Sequence, residues 1–437
     1  MWQTLFYIPH AILGIPVFGV GWALGLLIVG SAIHLTLQAR QGRLERELWG
    51  FLPVMFVVAA ALVFVLPGCE EVVDLEPVGI AVRGYGVMML AAIVAGVGLA
   101  AHRARRMGLD PEIIYSLAFY MFVLGILGAR LFFIIEYRNV VFRGTWDENV
   151  WAMFDVTQGG LVVYGSLIGA MLAMVWFARK RDLPLLALSD LVAPSLLLGL
   201  AIGRIGCLMN GCCYGGLCDH AWAISFPPNA PTYELHQTTG QFFGFRLEKG
   251  PSGEPTIAEV RANTPAAGQL KKGDIVAEIN DNRVNELEDK EGRPVPPLEA
   301  AKEYLSRAGA SVTLRLGDDR VVSLQLEAVP TKSLPVHPTQ IYSSVNAFLL
   351  FTVLMAYYPF RRRDGEMVAL LLTLYPITRF LLEWIRCDEP PQFGTTLTIS
   401  QNVSLLMLAL AMGLWIYLCW QPKGTVWPAK EAVENGG

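Results

Sequence analysis

The sequence predicts a polytopic α-helical membrane protein with about nine transmembrane helices and one small α+β insert outside the membrane. The 437 residues are 54% hydrophobic and only 16% charged, whereas soluble domains carry about a quarter charged residues. Stretches of about 20 apolar residues, the length that a bilayer requires, recur along the chain. A polar block of about 90 residues, long enough to fold alone, separates the sixth stretch from the seventh.

The predicted transmembrane helices set the domain order. They cover about residues 11–37, 49–67, 84–102, 113–135, 160–178, 187–208, 342–360, 367–386 and 401–420. The resulting domains are two extra N-terminal helices with their loops (1–82), a first part of a helical core (83–237), the polar insert (238–330), a second part of the core (331–420) and a tail (421–437).

Lys and Arg are distributed unevenly between alternate loops. Fourteen lie in one set of loops and in the C-terminal tail, against four in the other set when the insert is left out. Because short cytoplasmic loops are enriched in positive charge, this predicts an extracytoplasmic N-terminus and insert and a cytoplasmic C-terminus. The net charge of −4 argues against the basic nucleic-acid-binding class, so no nucleic acid partner is expected.

The insert is predicted to contain short strands and one helix. The strands are Ile257–Val260, Ile275–Ile279, Val312–Leu316 and Val321–Leu326, and the helix is Pro297–Arg307. Phe243, Gly244 and Phe245, with Thr264–Ala267 and Lys272–Val276, resemble a PDZ domain of the type found in periplasmic proteases. The resemblance implies a peptide ligand that adds a strand to a sheet edge. A docking or spacing domain with an empty groove is the alternative.

Polar side chains gather near the predicted extracytoplasmic ends of the core helices. They are Tyr85, Arg130, Tyr164, Arg204, Asn210, His337, Gln340, Arg379, Glu383 and Arg386. Polar groups within a membrane mark function because burying them is costly, and Arg379 shares a helix face with Glu383 at i+4. Interfacial anchoring is the alternative, and it suits Arg386 best. Two arginines at one depth suit a phosphate group, which predicts a site for an anionic lipid in the outer leaflet.

Glycine-rich turns flank the same region. Gly203, Gly206 and Gly215 let the backbone approach a ligand or another helix closely. Tight packing between helices explains Gly165 and Gly169 as well as a ligand does.

A series of short motifs runs through the predicted core. They are Tyr85-Gly86, Gly128-Ala129-Arg130, Gly159–Gly169, Gly203–Cys207, Asn210-Gly211, His337–Tyr342, Arg379–Glu383 and Ser400-Gln401. With these motifs the chain resembles the prolipoprotein diacylglyceryl transferase family over about residues 83–236 and 331–420. The resemblance implies a multi-pass enzyme of the bacterial inner membrane. It would transfer the sn-1,2-diacylglyceryl group of phosphatidylglycerol to the lipobox cysteine thiol of prolipoproteins and release glycerol phosphate.

The resemblance also implies roles for individual residues. Arg204 is expected to bind the phospholipid headgroup with help from Arg379, and Glu383 to orient Arg379 or to transfer a proton. The expected headgroup site also includes Gly203, Gly206, Gly215 and Arg130. Tyr85, His337, Tyr164 and Asn210 complete the expected catalytic set. No cofactor and no metal are expected.

The chain departs from the family pattern at three positions. Tyr164 stands where many members carry His, Cys207 where Asn is common, and Cys212 where Glu is common. A phenol, with a pKa near 10, is a poor base, so His337, Glu383, an activated water or the positive field alone are the alternatives for generating the thiolate. The cysteines near Cys212 allow a metal site, a disulfide or packed thiols; their spacing favours packed thiols.

Two other functional classes compete with the transferase. A PDZ-like domain also occurs beside intramembrane metalloproteases, but the sequence has no His-Glu-x-x-His motif. A catalytically altered paralogue that binds lipid and recruits exported proteins is the non-enzymatic alternative.

Overall fold

The computed structural model describes residues 3–40, 55–56, 58–73, 76–138, 153, 162–288, 294–386 and 397–427. The chain divides into two compact units, Met1–Val87 and Met88–Gly437.

The first unit combines short strands with one long helix. Its elements are β1 (Thr4–Pro9), β2 (Ala11–Ile12), β3 (Ile15–Pro16), α1 (Trp22–Arg40), β4 (Glu71–Val73) and β5 (Glu76–Arg83). A three-stranded sheet has the order β1-β5-β4, and β2 pairs with β3 as a hairpin. The start predicted for the first span is therefore wrong: helix α1 begins at Trp22, because the chain turns through left-handed residues at Leu13, Gly14 and Gly19 before it.

The second predicted span lies only partly within the described residues. Residues 55–56 are helical, and the longest described helical stretch in this region, Val58–Cys69, is shorter than a membrane span. That segment contains a π-helical turn at Ala61–Val65 and ends in a 3₁₀ turn at Leu66–Cys69. Whether this region crosses a membrane stays a prediction.

Seven helices follow the spans predicted for the core. They are α2 (Gly84–Arg106), α3 (Glu112–Glu136), α4 (Val163–Lys180), α5 (Leu185–Asn210), α8 (Thr339–Tyr357), α9 (Glu366–Glu383) and α10 (Ile399–Trp420); α6 and α7 belong to the junction and the insert. Within the described residues, six helices have the length and apolar composition of a membrane span, namely α1, α2, α3, α5, α8 with its 3₁₀ extension, and α10.

Helices α3 and α4 pack through glycines. A Cβ atom on Gly128 would lie 2.4 Å from the carbonyl oxygen of Gly165, and one on Gly165 would lie 2.4 Å from that of Gly128. A Cβ on Gly169 would lie 2.2 Å from the carbonyl oxygen of Leu124. Gly165 and Gly169 are therefore required for close helix packing.

A buried carboxylate connects α5 to α9. Asp190 is fully buried and accepts hydrogen bonds from the N–H groups of Gly365 (2.8 Å) and Val368 (3.0 Å). Its Oδ2 also lies 3.6 Å from Nη1 of Arg361. A carboxylate at a helix N-terminus is favourable, so Asp190 fixes the start of the helix that carries Arg379 and Glu383.

The insert has a hydrophobic core of its own. Its strands are β6 (Phe245–Lys249), β7 (Pro255–Val260), β8 (Val276–Ile279), β9 (Asn282–Arg283), β10 (Ser311–Leu316) and β11 (Val321–Gln325), with helix α7 at Pro297–Arg307. The described strands form a β6-β7 hairpin and a four-stranded sheet of order β11-β10-β8-β9. The core is built from both sheets and α7, and Ile257, Leu305 and Leu314 are essentially inaccessible. The four predicted strands and the predicted helix are confirmed to within two residues at each end.

The turn predicted to bind peptide is internally bonded. Phe243 and Phe245 are buried, and the N–H groups of both residues donate to the carbonyl oxygen of Gly240. The N–H of Gly244 donates to the carbonyl of Gln241 at 3.1 Å. These N–H groups bind a terminal carboxylate only if the turn rearranges, so peptide binding here stays a prediction.

His236 lies in α6 (Pro231–Thr238), the short helix that leads into the insert. Its Nδ1 accepts a hydrogen bond from the N–H of Leu334 at 3.2 Å, and its side chain is buried between Tyr214 and Phe242. Burial, helped by the positive charge of Arg261, lowers the pKa of His236 to about 4.

We expect this histidine to destabilise the junction in acid. An unfolded histidine has a pKa near 6.5, so between about pH 6.5 and 4 the unfolded chain binds a proton that the folded chain does not. The free energy of unfolding then falls as the pH falls through that window, by roughly 3 kcal/mol in total, and is unaffected by this group outside it. His236→Asn should remove this part of the pH dependence in thermal unfolding, whereas His220→Asn, at an exposed histidine, should retain it. Equal profiles for wild type and both variants would contradict the expectation.

Candidate active site

Arg379 and Glu383 form an ion pair on the last two turns of α9. Nη1 of Arg379 donates to Oε2 of Glu383. The Glu383 side chain is 1% exposed and that of Arg379 13%. A charged pair in such surroundings persists only when its remaining polar atoms also find partners.

The start of α10 supplies those partners. Nη2 of Arg379 donates to Oγ of Ser400 at 2.8 Å, and Oγ1 of Thr398 donates to Oε1 of Glu383 at 3.2 Å. Thr398 is the N-cap of α10 and forms a capping box with Gln401. The cap therefore fixes both hydroxyl groups against the ion pair.

Tyr164 reaches the same cluster from α4. Its hydroxyl oxygen lies 3.4 Å from Oγ of Ser400, which already accepts a hydrogen bond from Arg379. The phenol is thereby linked to the guanidinium through one serine.

Arg386 also belongs to the cluster. Its Nε lies 4.0 Å from Oε2 of Glu383, and its side chain is only 7% exposed. The side chain of Arg386 turns inward toward a carboxylate, which favours a part in the cluster over interfacial anchoring. Glu383 lies between two guanidinium groups, Arg379 and Arg386.

Arg204 lies in the last two turns of α5, and its side chain is half-buried. In the part of the chain that the structure describes, its guanidinium has no hydrogen-bond or salt-bridge partner. The loop that follows α5 bonds to Ile385, the residue before Arg386, through the N–H of Gly216. The end of the helix that carries Arg204 therefore lies beside the segment that carries Arg386, and Arg379 is joined to that segment through Glu383.

The loop after α5 is hydrogen-bonded to the segments that contain His337 and Ile385. The N–H of Gly215 donates to the carbonyl of His337, and that of Gly216 to the carbonyl of Ile385, both at 2.9 Å. A Cβ on Gly215 would lie 2.8 Å from Cβ of His337 and 2.9 Å from the carbonyl oxygen of Ile385. Glycine is required at Gly215 because three chain segments meet there.

The other predicted residues have diverse surroundings. Asn210 ends α5, beside the left-handed cap Gly211. His337 is half-buried, and among the described residues its Nδ1 has no hydrogen-bond partner. Gly206 is buried. A Cβ atom on Gly203 would lie 3.7 Å from Sδ of Met89, which is an ordinary van der Waals contact.

Two predicted residues are not placed in the cluster. Nε of Arg130 donates to the carbonyl of Met153 at 2.9 Å, and its guanidinium lies over the ring of Phe133. Tyr85 lies in the first turn of α2 and belongs to the first unit. Their parts in a site stay predictions.

The family model for prolipoprotein diacylglyceryl transferase matches residues 72–417. The chain belongs to this family. A phosphatidylglycerol–prolipoprotein diacylglyceryl transferase of Rhodopirellula baltica is 35% identical over an alignment of 459 residues, which covers 96% of this chain and 90% of that protein. A protein of the same name from Clostridium tetani is 24% identical over 343 residues, covering 78% of this chain and 94% of its own length. One from Synechococcus elongatus is 34% identical over 172 residues, covering 39% of this chain and 56% of its own length.

Proposed function

We propose that this chain transfers the sn-1,2-diacylglyceryl group of phosphatidylglycerol to the lipobox cysteine thiol of prolipoproteins, forming a thioether and releasing glycerol phosphate. The observation that carries the proposal is the cluster of Arg379, Glu383 and Arg386 beside the end of α5, where the guanidinium of Arg204 has no partner among the described residues. Membership of the family and the names of its relatives support the same reaction. The alternative of a non-catalytic scaffold has no such support.

The arginines would bind the phosphodiester of the lipid. Two guanidinium groups, Arg379 and Arg386, face the one carboxylate of Glu383, so the cluster carries excess positive charge even before Arg204 is counted. Guanidinium groups bind phosphate oxygens bidentately. This interaction strengthens as negative charge develops on the leaving phosphate. Arg204 has its donors available for the headgroup, while Arg379 and Arg386 are held near it by Glu383. Gly203, Gly206, Gly215 and Arg130 complete the proposed headgroup site.

Glu383 acts in this proposal as a positioning residue. Its Oε2 faces Arg379 and Arg386, and its Oε1 accepts a hydrogen bond from Thr398. A carboxylate so occupied is a poor proton acceptor, because protonation would break its ion pairs. This favours orientation of Arg379 over proton transfer.

The transfer step requires a thiolate. The acceptor sulfur would attack the sn-3 carbon of the lipid glycerol, the carbon–oxygen bond to phosphate would break, and its electron pair would leave with glycerol phosphate. A free thiol has a pKa near 8.5, so deprotonation needs help. His337, with its Nδ1 available, is the proposed proton acceptor, and Tyr164, Asn210 and Tyr85 complete the proposed catalytic set.

The proposed setting is the inner membrane of a bacterium. We propose nine spans, with the N-terminus and the insert extracytoplasmic and the C-terminus cytoplasmic. The distribution of Lys and Arg among the loops supports this orientation. In this orientation the arginine cluster would lie in the outer leaflet, on the side from which exported prolipoproteins arrive.

Depletion of the protein tests the function. In a cell with no second enzyme of this kind, depletion should leave a prolipoprotein whose lipobox peptide lacks the diacylglyceryl mass. Mass spectrometry of that peptide reads the result directly. An unchanged diacylglyceryl modification after depletion would rule the transferase out.

We propose further that residues 238–330 form a PDZ-like domain that captures exported clients near the site. An independent core, two small sheets and one helix support a separately folded domain. Capture by strand addition at β6 would have to displace the hydrogen bond from the N–H of Leu247 to the carbonyl of Thr239, 3.0 Å long.

Deleting residues 238–330 should leave the chemical step intact. Because the described hydrogen bonds of the arginine cluster come from α4, α9, α10 and the segment after α9, lipidation of a short synthetic lipobox peptide should stay within about threefold of wild type. Lipidation of full-length clients should fall more. Complete loss of peptide lipidation in a variant that inserts normally would contradict the assignment.

A further inference from the structure

Three thiols form a cluster beside the arginines of the candidate active site. The sulfur atoms of Cys207, Cys212 and Cys213 all lie within 4.8 Å of one another. All three residues are half-buried, and all are free thiols. Their spacing is not the C-x₂-C of common zinc motifs, which is why the sequence favours simple packing.

The end of α5 brings the thiols together. Gly211 adopts a left-handed conformation with φ of 77° and caps the helix. The N–H groups of Gly211 and Cys212 then both donate to the carbonyl of Cys207, at 3.0 and 3.1 Å, so the chain folds back over the helix end. Cys213 is itself left-handed, with φ of 59°, which is uncommon for a residue other than glycine.

The first turn of α8 fixes this loop from the other side. Oγ1 of Thr339 donates to the carbonyl of Cys213 at 2.7 Å, and Nε2 of Gln340 donates to the carbonyl of Cys212 at 2.8 Å. Thr339 and Gln340 are almost completely buried. The cluster is therefore held in place by the backbone and does not depend on contacts between the thiols.

We propose that Cys207, Cys212 and Cys213 bind a zinc-class divalent cation whose fourth coordination position takes the acceptor thiol; the second half of this proposal rests on the proposed function. Zinc–sulfur bonds of about 2.3 Å in a tetrahedral site place the sulfurs about 3.8 Å apart, so the cluster closes on a cation by moving its widest pair about 1 Å. Thiolates select zinc-class ions over magnesium or calcium. Three protein ligands with one open position are the pattern of catalytic rather than structural zinc sites.

The neighbouring charges favour such a site. Three thiolates and one dication carry a net charge of −1. Arg204 lies one helical turn before Cys207 on α5, and Arg386 follows Ile385, whose carbonyl accepts a hydrogen bond from Gly216 in the same loop. Guanidinium groups nearby stabilise thiolates over thiols. The same arginines would bind the lipid phosphate, which places the metal-bound sulfur next to the carbon that it attacks.

The cation would supply the deprotonation for which Tyr164 is poorly suited. A thiol that coordinates zinc loses its proton, here to His337, the proton acceptor of the proposed function. The bound sulfur forms a bond to the sn-3 carbon, the carbon–oxygen bond breaks, and the electron pair leaves with glycerol phosphate. The thioether that results is neutral and a weaker ligand than a thiolate, so the product leaves and a new thiol binds.

Titration with Co²⁺ tests the metal site without measuring transfer. The reduced, metal-free full-length protein should bind one Co²⁺ per chain with a strong sulfur-to-cobalt charge-transfer band that Zn²⁺ abolishes. Replacing Cys207, Cys212 or Cys213 by Ser should weaken binding by at least about tenfold, the loss that even outer-shell changes cause. Cys218→Ser, in the same loop but outside the cluster, and Cys419→Ser, at an exposed position, are the matched controls and should bind as wild type.

A second titration tests the fourth position. Adding a lipobox peptide with its cysteine to the Co²⁺-loaded protein in vesicles without phosphatidylglycerol should shift the charge-transfer band, and the same peptide with serine should not. Absence of stoichiometric Co²⁺ binding, equal weakening in the control variants, or loss of two titratable thiols to a disulfide would overturn the metal site. Co²⁺ binding with no response to the cysteine peptide would overturn the role of the acceptor thiol.

Discussion

Replacing Arg204 by alanine is expected to lower the rate of diacylglyceryl transfer by about a hundredfold or more. Removal of one well-placed donor to developing negative charge costs about 10²–10³ in rate. Arg204 is the clearest case here, because its guanidinium has no partner among the described residues and the helix that carries it ends beside the segment of Arg386. The measurement is the initial rate of thioether formation on a lipobox peptide, with phosphatidylglycerol supplied in vesicles.

Two further variants serve as comparisons in this experiment, one that conserves the charge of Arg204 and one at an exposed arginine. Arg204→Lys keeps the charge but loses the planar fork of donors, so its rate should fall between wild type and alanine. Arg105→Ala removes an exposed arginine at the end of α2 and should transfer at the wild-type rate. A wild-type rate for Arg204→Ala would exclude this residue from headgroup binding.

Glu383→Gln is expected to cost both activity and stability. The change removes the carboxylate that lies between Arg379 and Arg386, and two guanidinium groups then face each other with little compensation. Breaking a buried ion pair costs about 3–5 kcal/mol, and displacement of Arg379 should lower kcat for transfer by about a hundredfold. KM for phosphatidylglycerol should change much less, because Arg204 stays in place.

Milder and combined variants distinguish the positioning role of Glu383 from a simple loss of folding. Thr398→Val removes the hydrogen bond to Oε1 of Glu383 and the N-cap bond from the N–H of Gln401. It should lower kcat severalfold and the stability by about 1 kcal/mol, well below the loss expected for Glu383→Gln. Adding Arg379→Ala to Glu383→Gln should lower kcat little further than either single change does. The effects of two residues that act as a unit do not add. Full additivity of the two changes would contradict the coupling.

The membrane helices of the core were predictable because each is a run of about 20 apolar residues. Helix α3, for example, covers Glu112–Glu136 against a predicted 113–135. The first unit was not predictable in the same way. The β1 strand pairs Tyr7 with Ala81, and a contact between segments so far apart leaves no periodic signal in either one. The start of α1 was misplaced because apolar composition alone does not register the left-handed turn at Gly14.

The site was predictable where one helix contains it. Arg379 and Glu383 share a face of α9 because they are four residues apart. Ser400 and Thr398 join them from a different helix, and only the capping pattern from Thr398 to Gln401 gives a local signal. The thiol cluster was hidden for a similar reason: Cys207 meets Cys212 and Cys213 only because a left-handed glycine cap folds the chain back.

The purified protein offers the most direct test of the central claim that arginines from separate helices bind a phospholipid headgroup for transfer of its diacylglyceryl group. Protein, phosphatidylglycerol vesicles and a lipobox peptide should together yield a peptide heavier by one diacylglyceryl group, with one glycerol phosphate released per peptide. Peptide with serine in place of the cysteine, and vesicles of phosphatidylcholine alone, should yield neither product. Active wild-type protein and an equally active Arg204→Ala, Arg379→Ala double variant would contradict the account.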